Sequence, residues 1–460
     1  TALYTLMQAD GDAFSASGAA AVEAALELHN TLVAAATQAL NRAARELGTA
    51  AVCSPEAEHW LTTAYRVASI IERLLSSGAV RPRRAACCEL AVAGAAAGVP
   101  AARLAASAPS DWKTAGTAVT DVMGLLDALF TDAAVLRHAA GAPAFGPHFY
   151  DSTGDLLGAL AEAASGGTAY AATEKRANMA LGLCFKLQLH GQEAEARALL
   201  SAPRLLTGVA QLLLQDAPCL LRRCQHSAAT LLHAFWLNTA GSAEASAAQL
   251  YAACAAAGAP VVVALAAALC RFMGAALPSG ASDNYWPRIR SSRWCTFLLE
   301  KMADADDGAR HALLREAAER AELLPALVRL MDPPALPAAL QQGGRDLRAD
   351  SEDLLQARSC GLNLFSGIHM YAIATMKAGG EDHGTAGASV IWAAMNTAGL
   401  PAALGRAVAD GCPLLVFHAF SLLNCVIMMG GEFANGFAHD VLANTRYIIP
   451  MAFQLVKEYL

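Results

Sequence analysis

Ala398-Gly399-Leu400-Pro401-Ala402-Ala403-Leu404 is the stretch on which the fold turns. Its Gly-apolar-Pro core returns as Gly98-Val99-Pro100 and Gly258-Ala259-Pro260, each preceded by Ala, with a looser copy at Leu324-Pro325. Every copy opens an apolar run with helical spacing. Glycine lets the chain bend sharply, and proline suits the first helical turn, where its missing N–H would have no partner. A punctuation mark repeated through a chain of 460 residues points to stacked units.

Composition agrees with an all-α protein. Ala and Leu dominate and are the strongest helix formers, while alternating Val, Ile and Thr of the kind strands need is nearly absent. The Ala excess reads as the coding bias of a GC-rich genome and carries no function. A net charge of −7 argues against a general affinity for phosphate backbones. The small clusters Arg81, Arg83, Arg84 and Arg288, Arg290, Arg293 read as solvated helix ends or loops. Twelve cysteines are scattered without framework spacing. Cys184, Cys254, Cys270, Cys360 and Cys425 fall in apolar runs as small core residues, which fits an intracellular, reducing compartment. The stretch Cys412 to Gly431 lacks formal charge and is long enough to cross a bilayer, but His418, Ser421 and Asn424 interrupt it. It is expected to be a helix buried on all sides, and no transmembrane segment is expected.

Working outward, helices are expected from Ser17 to Gly48, after Ser54-Pro55-Glu56, from Arg84 to Ala97 and within Asp111 to Ala140. Further helices are expected near 153–165, 171–190, 193–201, 203–216, 218–239, 243–257 and 260–276. Others follow near 350–378, 387–398, 401–410, 412–429 and 433–459. Two segments rich in breakers read as inserted loops, 141–154 and 277–292. The second carries Tyr285, Trp286, Arg288 and Arg290, residue types that interface hot spots favour. Phe145, His148, Phe149 and Tyr150 give the first a similar character. These eight residues are the candidate partner contacts, although an aromatic group in such a loop also serves to anchor it on its own helices. Substituting Tyr285, Trp286 and Arg288 is expected to weaken partner binding without unfolding the chain.

The residues around 398–424 resemble an armadillo repeat. Gly399-Leu400-Pro401 opens a short helix, and Ala419-Phe420-Ser421-Leu422-Leu423-Asn424 ends a longer one in the manner of that family. Leu323-Leu324-Pro325-Ala326-Leu327-Val328-Arg329-Leu330 matches the first half of the pattern, and Pro203 to Asn238 follows both halves loosely. The resemblance covers about 200–430, and its openers at 100, 260, 325 and 401 are unevenly spaced, so HEAT-like units stay open as an alternative. It implies an irregular right-handed α-solenoid, an armadillo-like superhelix with loop insertions. The regions are then an N-terminal helical region at 1–140 and armadillo-like repeats at 153–276 and 293–460. It also implies a non-catalytic scaffold or adaptor whose partners are other proteins, or else a structural subunit of a large organellar or ciliary assembly.

Other chemistry is weak in the sequence. Cys219, Cys224, His226 and His233 lack zinc spacing and read as buried thiols with a satisfied histidine. Asp304-Ala305-Asp306-Asp307-Gly308 is similar to a calcium loop but lacks the closing Glu, so a helix start capped by Asp307 is expected. Asp121, Asp127 and Asp132 are not closely paired, and His439-Asp440 has no companion ligand. There is no phosphate-binding Gly loop and no nucleophile elbow. No cofactor or metal is expected, and an all-α enzyme or a helical-repeat RNA binder is disfavoured.

Overall fold

A computed structural model describes residues 19–76, 82–108, 112–165, 171–216, 222–238, 243–274, 285–333, 347–378, 390, 394, 397, 399–409 and 412–428. Among them the regular structure is entirely helical. The chain forms two compact units, one of Thr1–Gly241 with Ala252–Ala259 and one of Ser242–Tyr251 with Pro260–Leu460.

In the first unit α1 spans Ala19–Thr49, α2 Pro55–Ser76, α3 Arg84–Ser107, α4 Lys113–Leu129, α5 Ala133–Ala140 and α6 Pro147–Ser165. It continues with α7 at Ala171–His190, α8 at Gln192–Leu200, α9 at Pro203–Leu214 and α10 at Arg222–Asn238. The long helices make antiparallel hairpins laid side by side. α1, α3, α6 and α9 pack successively in one row, and α2, α4, α7 and α10 in a second. The short α5 and α8, with a 3-10 turn at Pro143–Phe145, fill the spaces between hairpins.

Helix α11 at Ala243–Ala256 passes from one unit to the other. The second unit continues with α12 at Val261–Met273, α13 at Tyr285–Ala305, α14 at Asp307–Glu319 and α15 at Leu323–Met331. Its last described helices are α16 at Leu347–Ala378, α17 at Leu400–Ala409 and α18 at Pro413–Met428. The two rows reappear here: α12, α15 and α17 in one, α13, α16 and α18 in the other.

Local sequence explains the individual elements. Ser54 accepts from Ala57 N–H at 3.1 Å and Pro55 follows as the first helical residue, so α2 starts where its cap dictates. Its buried stripe is Leu61, Ala64, Ala68, Ile71 and Leu74, the spacing of one helix face. Gly258 and Gly399 adopt φ of +69° and +83°, which lets the openers at 258–260 and 399–401 turn into the next helix. The copy at 98–100 behaves differently. α3 does not end at Ala97 but runs through Pro100 to Ser107. Here Gly98 serves packing, since a Cβ at that position would meet Val122 Cγ1 of α4 at 3.3 Å.

Neighbouring helices are tied by arginines that close exposed helix ends. Arg103 of α3 donates to the carbonyls of Leu47 and Gly48 at the end of α1, at 3.2 and 3.3 Å. Arg358 of α16 does the same for Met331 at the end of α15 at 2.8 Å, and Arg329 of α15 for Met273 at the end of α12. The last carbonyls of a helix lack an internal partner and carry partial negative charge, so each cation satisfies both needs. Asp306, not Asp307, caps α14, accepting from Ala309 N–H at 3.0 Å. The chain reaches helical geometry one residue earlier than the sequence suggests.

One helix among the described residues, α3, is long and apolar enough to cross a bilayer, and two thirds of that stretch is buried in the fold. The expectation of a helix buried on all sides at 412–431 fails for its described part. Leu415, Val416, Ala419 and Leu422 face inward, but Leu414 and Phe417 are exposed, Phe417 by 67%. α18 is the last described helix of its row, so one of its faces lacks a described neighbour.

Candidate functional site

In the described parts, the two segments read as loops are largely helix. Residues 147–165 form α6, and α13 begins at Tyr285, while 275–284 lie outside the described residues. Phe145, Phe149 and Tyr150 have no exposed surface, Tyr285 is 2% exposed and Trp286 4%. Their rings pack together in the core, Phe145 tilted against Phe149 at 5.0 Å and Tyr285 edge-to-face with Trp286 at 5.1 Å. Arg288 is buried too, and its guanidinium donates to the carbonyls of Phe272 at 2.7 Å and Gly274 at 2.9 Å, closing the end of α12. These six side chains therefore hold the fold rather than offer themselves to a partner. Of the eight, His148 and Arg290 are exposed, and Arg290 pairs with Asp353 of α16.

The burial of Tyr150 exposes a site that sequence reasoning missed. Its hydroxyl donates to Glu195 Oε2 in a short hydrogen bond. Gln188 Nε2 donates to the Tyr150 oxygen at 2.9 Å and to the Glu195 carbonyl at 2.8 Å, so α6, α7 and α8 meet on this one cluster. Thr153 Oγ1 and Cys184 Sγ lie behind it, 3.4 Å apart. Glu195 is 2% exposed and forms no ion pair among the described residues. Burial pushes its carboxyl up to about 7, with the Tyr150 hydrogen bond pulling weakly the other way. Burial likewise holds the Tyr150 hydroxyl well above its ordinary value and moves the Cys184 thiol up to about 12.

Glu195 lies at the base of a pocket of about 410 Å³ between the corner at 140–147 and α8. Gly191 makes room for it: a Cβ there would lie 1.9 Å from Glu195 Cγ. Nothing in Gln192-Glu193-Ala194-Glu195-Ala196-Arg197 marks the second glutamate as the buried one. The available signal is weaker, a Gly between two helices followed four residues later by a carboxylate.

A second cleft of about 440 Å³ lies between α3, α6 and α9. Its floor is backbone, because α6 and α9 touch at Gly154 and Gly208. A Cβ on Gly154 would sit 2.3 Å from the carbonyl of Arg204. Arg204 donates to both oxygens of Asp155 at 3.3 and 3.1 Å, and its N–H to Asp151 at 2.9 Å, so two of the charged residues lining the cleft are spent on one another.

The described members of the soft-ligand set have other partners. Cys224 is buried against the Glu174 carbonyl at 3.4 Å, His233 stacks on Trp236, and Cys219 lies outside the described residues. Asp132 leaves the helix of Asp121 and Asp127 to cap α5, accepting from Ala134 N–H at 2.8 Å. His439 and Asp440 lie outside the described residues. Among the described residues no three His, Cys, Asp or Glu side chains gather as a metal-ligand set. Compared with known family models and with curated proteins, the chain matches none.

Proposed function

We propose that the chain is an irregular α-solenoid of armadillo type, acting as a non-catalytic scaffold that binds other proteins. The observation that carries this reading is the pairing of helices. Within each unit, long helices form two rows, and each packs on its hairpin mate and on the next helix of its row. Hydrogen bonds between neighbouring hairpins in the first unit join residues 49 to 59 positions apart, as in Ser227 to Asn178 and Lys186 to Asp127. Contacts confined to one repeat length are what a quasi-one-dimensional array produces, and such arrays present long continuous faces to partners. The charge of −7 favours protein over nucleic acid as that partner. The thiols whose side chains are described are free, which suits a reducing compartment.

A structural subunit of a larger assembly uses the same faces but keeps its partners permanently. Native mass spectrometry of the protein isolated from its source separates the readings. A scaffold appears with protein partners that dissociate on dilution, and an assembly subunit at fixed stoichiometry through a salt wash. A monomer that carries a bound cofactor and no protein refutes both.

A further inference from the structure

The pocket beside Glu195 has a chemistry that a protein-binding role does not require. Pro143 and Pro147 form one wall with Phe145 buried beneath it, Ala194, Ala198 and Ser201 form the other, and Glu195, 2% exposed, lies at the base. Ala140 and Ser201, at the C-terminal ends of α5 and α8, both line it. Helix C-termini carry partial negative charge, so two of them add to the field of the carboxylate. The one cation on the rim, Arg197, is exposed, and its Nε donates along its own helix to the Glu193 carbonyl at 3.4 Å. A buried carboxylate without a cation is costly, and a cation brought by a ligand offsets that cost.

We propose that this pocket binds a protonated primary amine, which donates to the Glu195 carboxylate while its alkyl chain lies against Pro143 and Pro147. The geometry selects the head group. Oε2 already accepts from Tyr150, which leaves one oxygen for a ligand. A guanidinium binds carboxylates best through two parallel bonds, whereas an ammonium is a point donor that can use one oxygen and share its other N–H groups with helix-end carbonyls. The amine comes either from a free alkylamine or from a lysine side chain of another protein.

The titratable groups that act on Glu195 are Tyr150 of α6 and Cys184 of α7, and neither is charged near neutrality. Glu195 must be ionised to hold the cation, so affinity rises with pH through the value near 7 at which it titrates. The ammonium itself stays protonated, and binding is expected to be about tenfold weaker at about pH 6 than at about pH 8.

The test is calorimetric titration of the full chain with n-butylammonium chloride, and separately with acetyl-Gly-Lys-Gly-amide, against sodium chloride of equal ionic strength. Saturable binding that Glu195→Gln abolishes is the expected result. Ala198→Leu, which keeps the carboxylate and fills the pocket, must abolish it too, and it carries the test alone if the first variant does not fold. Tighter binding of butylammonium assigns the site to a free amine, and tighter binding of the peptide to a lysine side chain. No saturable binding of either probe in the millimolar range, or equal affinity in both variants, overturns the proposal.

Discussion

Replacing Glu195 by Gln should remove a pH dependence that one carboxyl imposes on the first unit. In the unfolded chain this group titrates near its ordinary 4.5, and in the folded chain near 7, because burial disfavours its charge. Between those values the folded state holds a proton that the unfolded state has released. The stability linked to this proton is therefore complete below the unfolded value, is lost as pH rises through 7, and changes little above that. At about 1.4 kcal/mol for each decade, the whole effect is about 3 kcal/mol. Gln keeps the shape of the acid but cannot ionise. The stability of Glu195→Gln relative to the natural protein should then rise by about 2–3 kcal/mol between about pH 5 and pH 8. Urea unfolding of both proteins at a series of pH values measures the difference directly, since other titrating groups are common to both. Carbon-13 NMR of labelled glutamate reports the titration itself. A stability difference that stays flat across this range, or a Glu195 carboxyl that titrates near 4.5, refutes the reasoning.

Three other outcomes follow from the packing. Gly154→Ala places a methyl group 2.3 Å from the Arg204 carbonyl. Backbone cannot step aside as a side chain can, so α6 and α9 must separate, at a cost of about 1–3 kcal/mol or more in thermal or urea unfolding. Gly158→Ala, where the nearest atom is Gln211 Oε1 at 3.8 Å, is the control that should cost little. Trp286→Ala should destabilise the second unit by about 3–5 kcal/mol, and Arg288→Met by about 1–3 kcal/mol through the uncapped end of α12. If either variant keeps its stability and loses a binding partner, the core assignment of that helix start is wrong. Alkylation of the native protein near neutral pH should label Cys53, which is exposed, well before Cys184, Cys254 or Cys295, whose thiols burial pushes up to about 12. Peptide mapping that finds Cys295 modified as fast as Cys53 would contradict the burial described here.

Helix positions were readable wherever apolar residues kept one face. The stripe of Leu61, Ile71 and Leu74 is such a case, and α7 runs over the residues that the spacing predicts. Misreadings arose where breakers do a second job. The corner Gly141-Ala142-Pro143-Ala144-Phe145-Gly146-Pro147 has the composition of a flexible loop, yet Pro147 begins a helix and Phe145 and Phe149 pack across the corner. The informative signal there was the four-residue step from Phe145 to Phe149, continued by Leu156, Leu157 and Leu160, which the glycines obscured. Tyr285, Trp286 and Arg288 show a related limit. Aromatic rings beside arginine mark an interface, and they equally mark the place where one helix closes the end of another. Sequence does not say whether the surface so covered belongs to a partner or to the same chain.

The same limit governs the helix openers. The Gly-apolar-Pro copy at 98–100 lies within a helix, while Pro147 and Pro203, which lack the glycine two residues before, do begin helices. With those two admitted, Pro147, Pro203 and Pro260 mark helix starts at steps of 56 and 57 residues. Pro55, Lys113 and Ala171 open α2, α4 and α7 at steps of 58. Hydrogen bonds between neighbouring hairpins of the first unit span 49 to 59 positions, as Arg103 to Leu47 does across 56. Other steps differ, since α1, α3 and α6 begin 65 and 63 residues apart and α12, α15 and α17 begin 62 and 77 apart, so length varies as well as punctuation. The short helices α5 and α8, each placed between two hairpins, interrupt the succession of plain helix pairs. The departure at α8 carries Glu195, and that makes its pocket the first place to look for a chemistry the rows themselves do not supply.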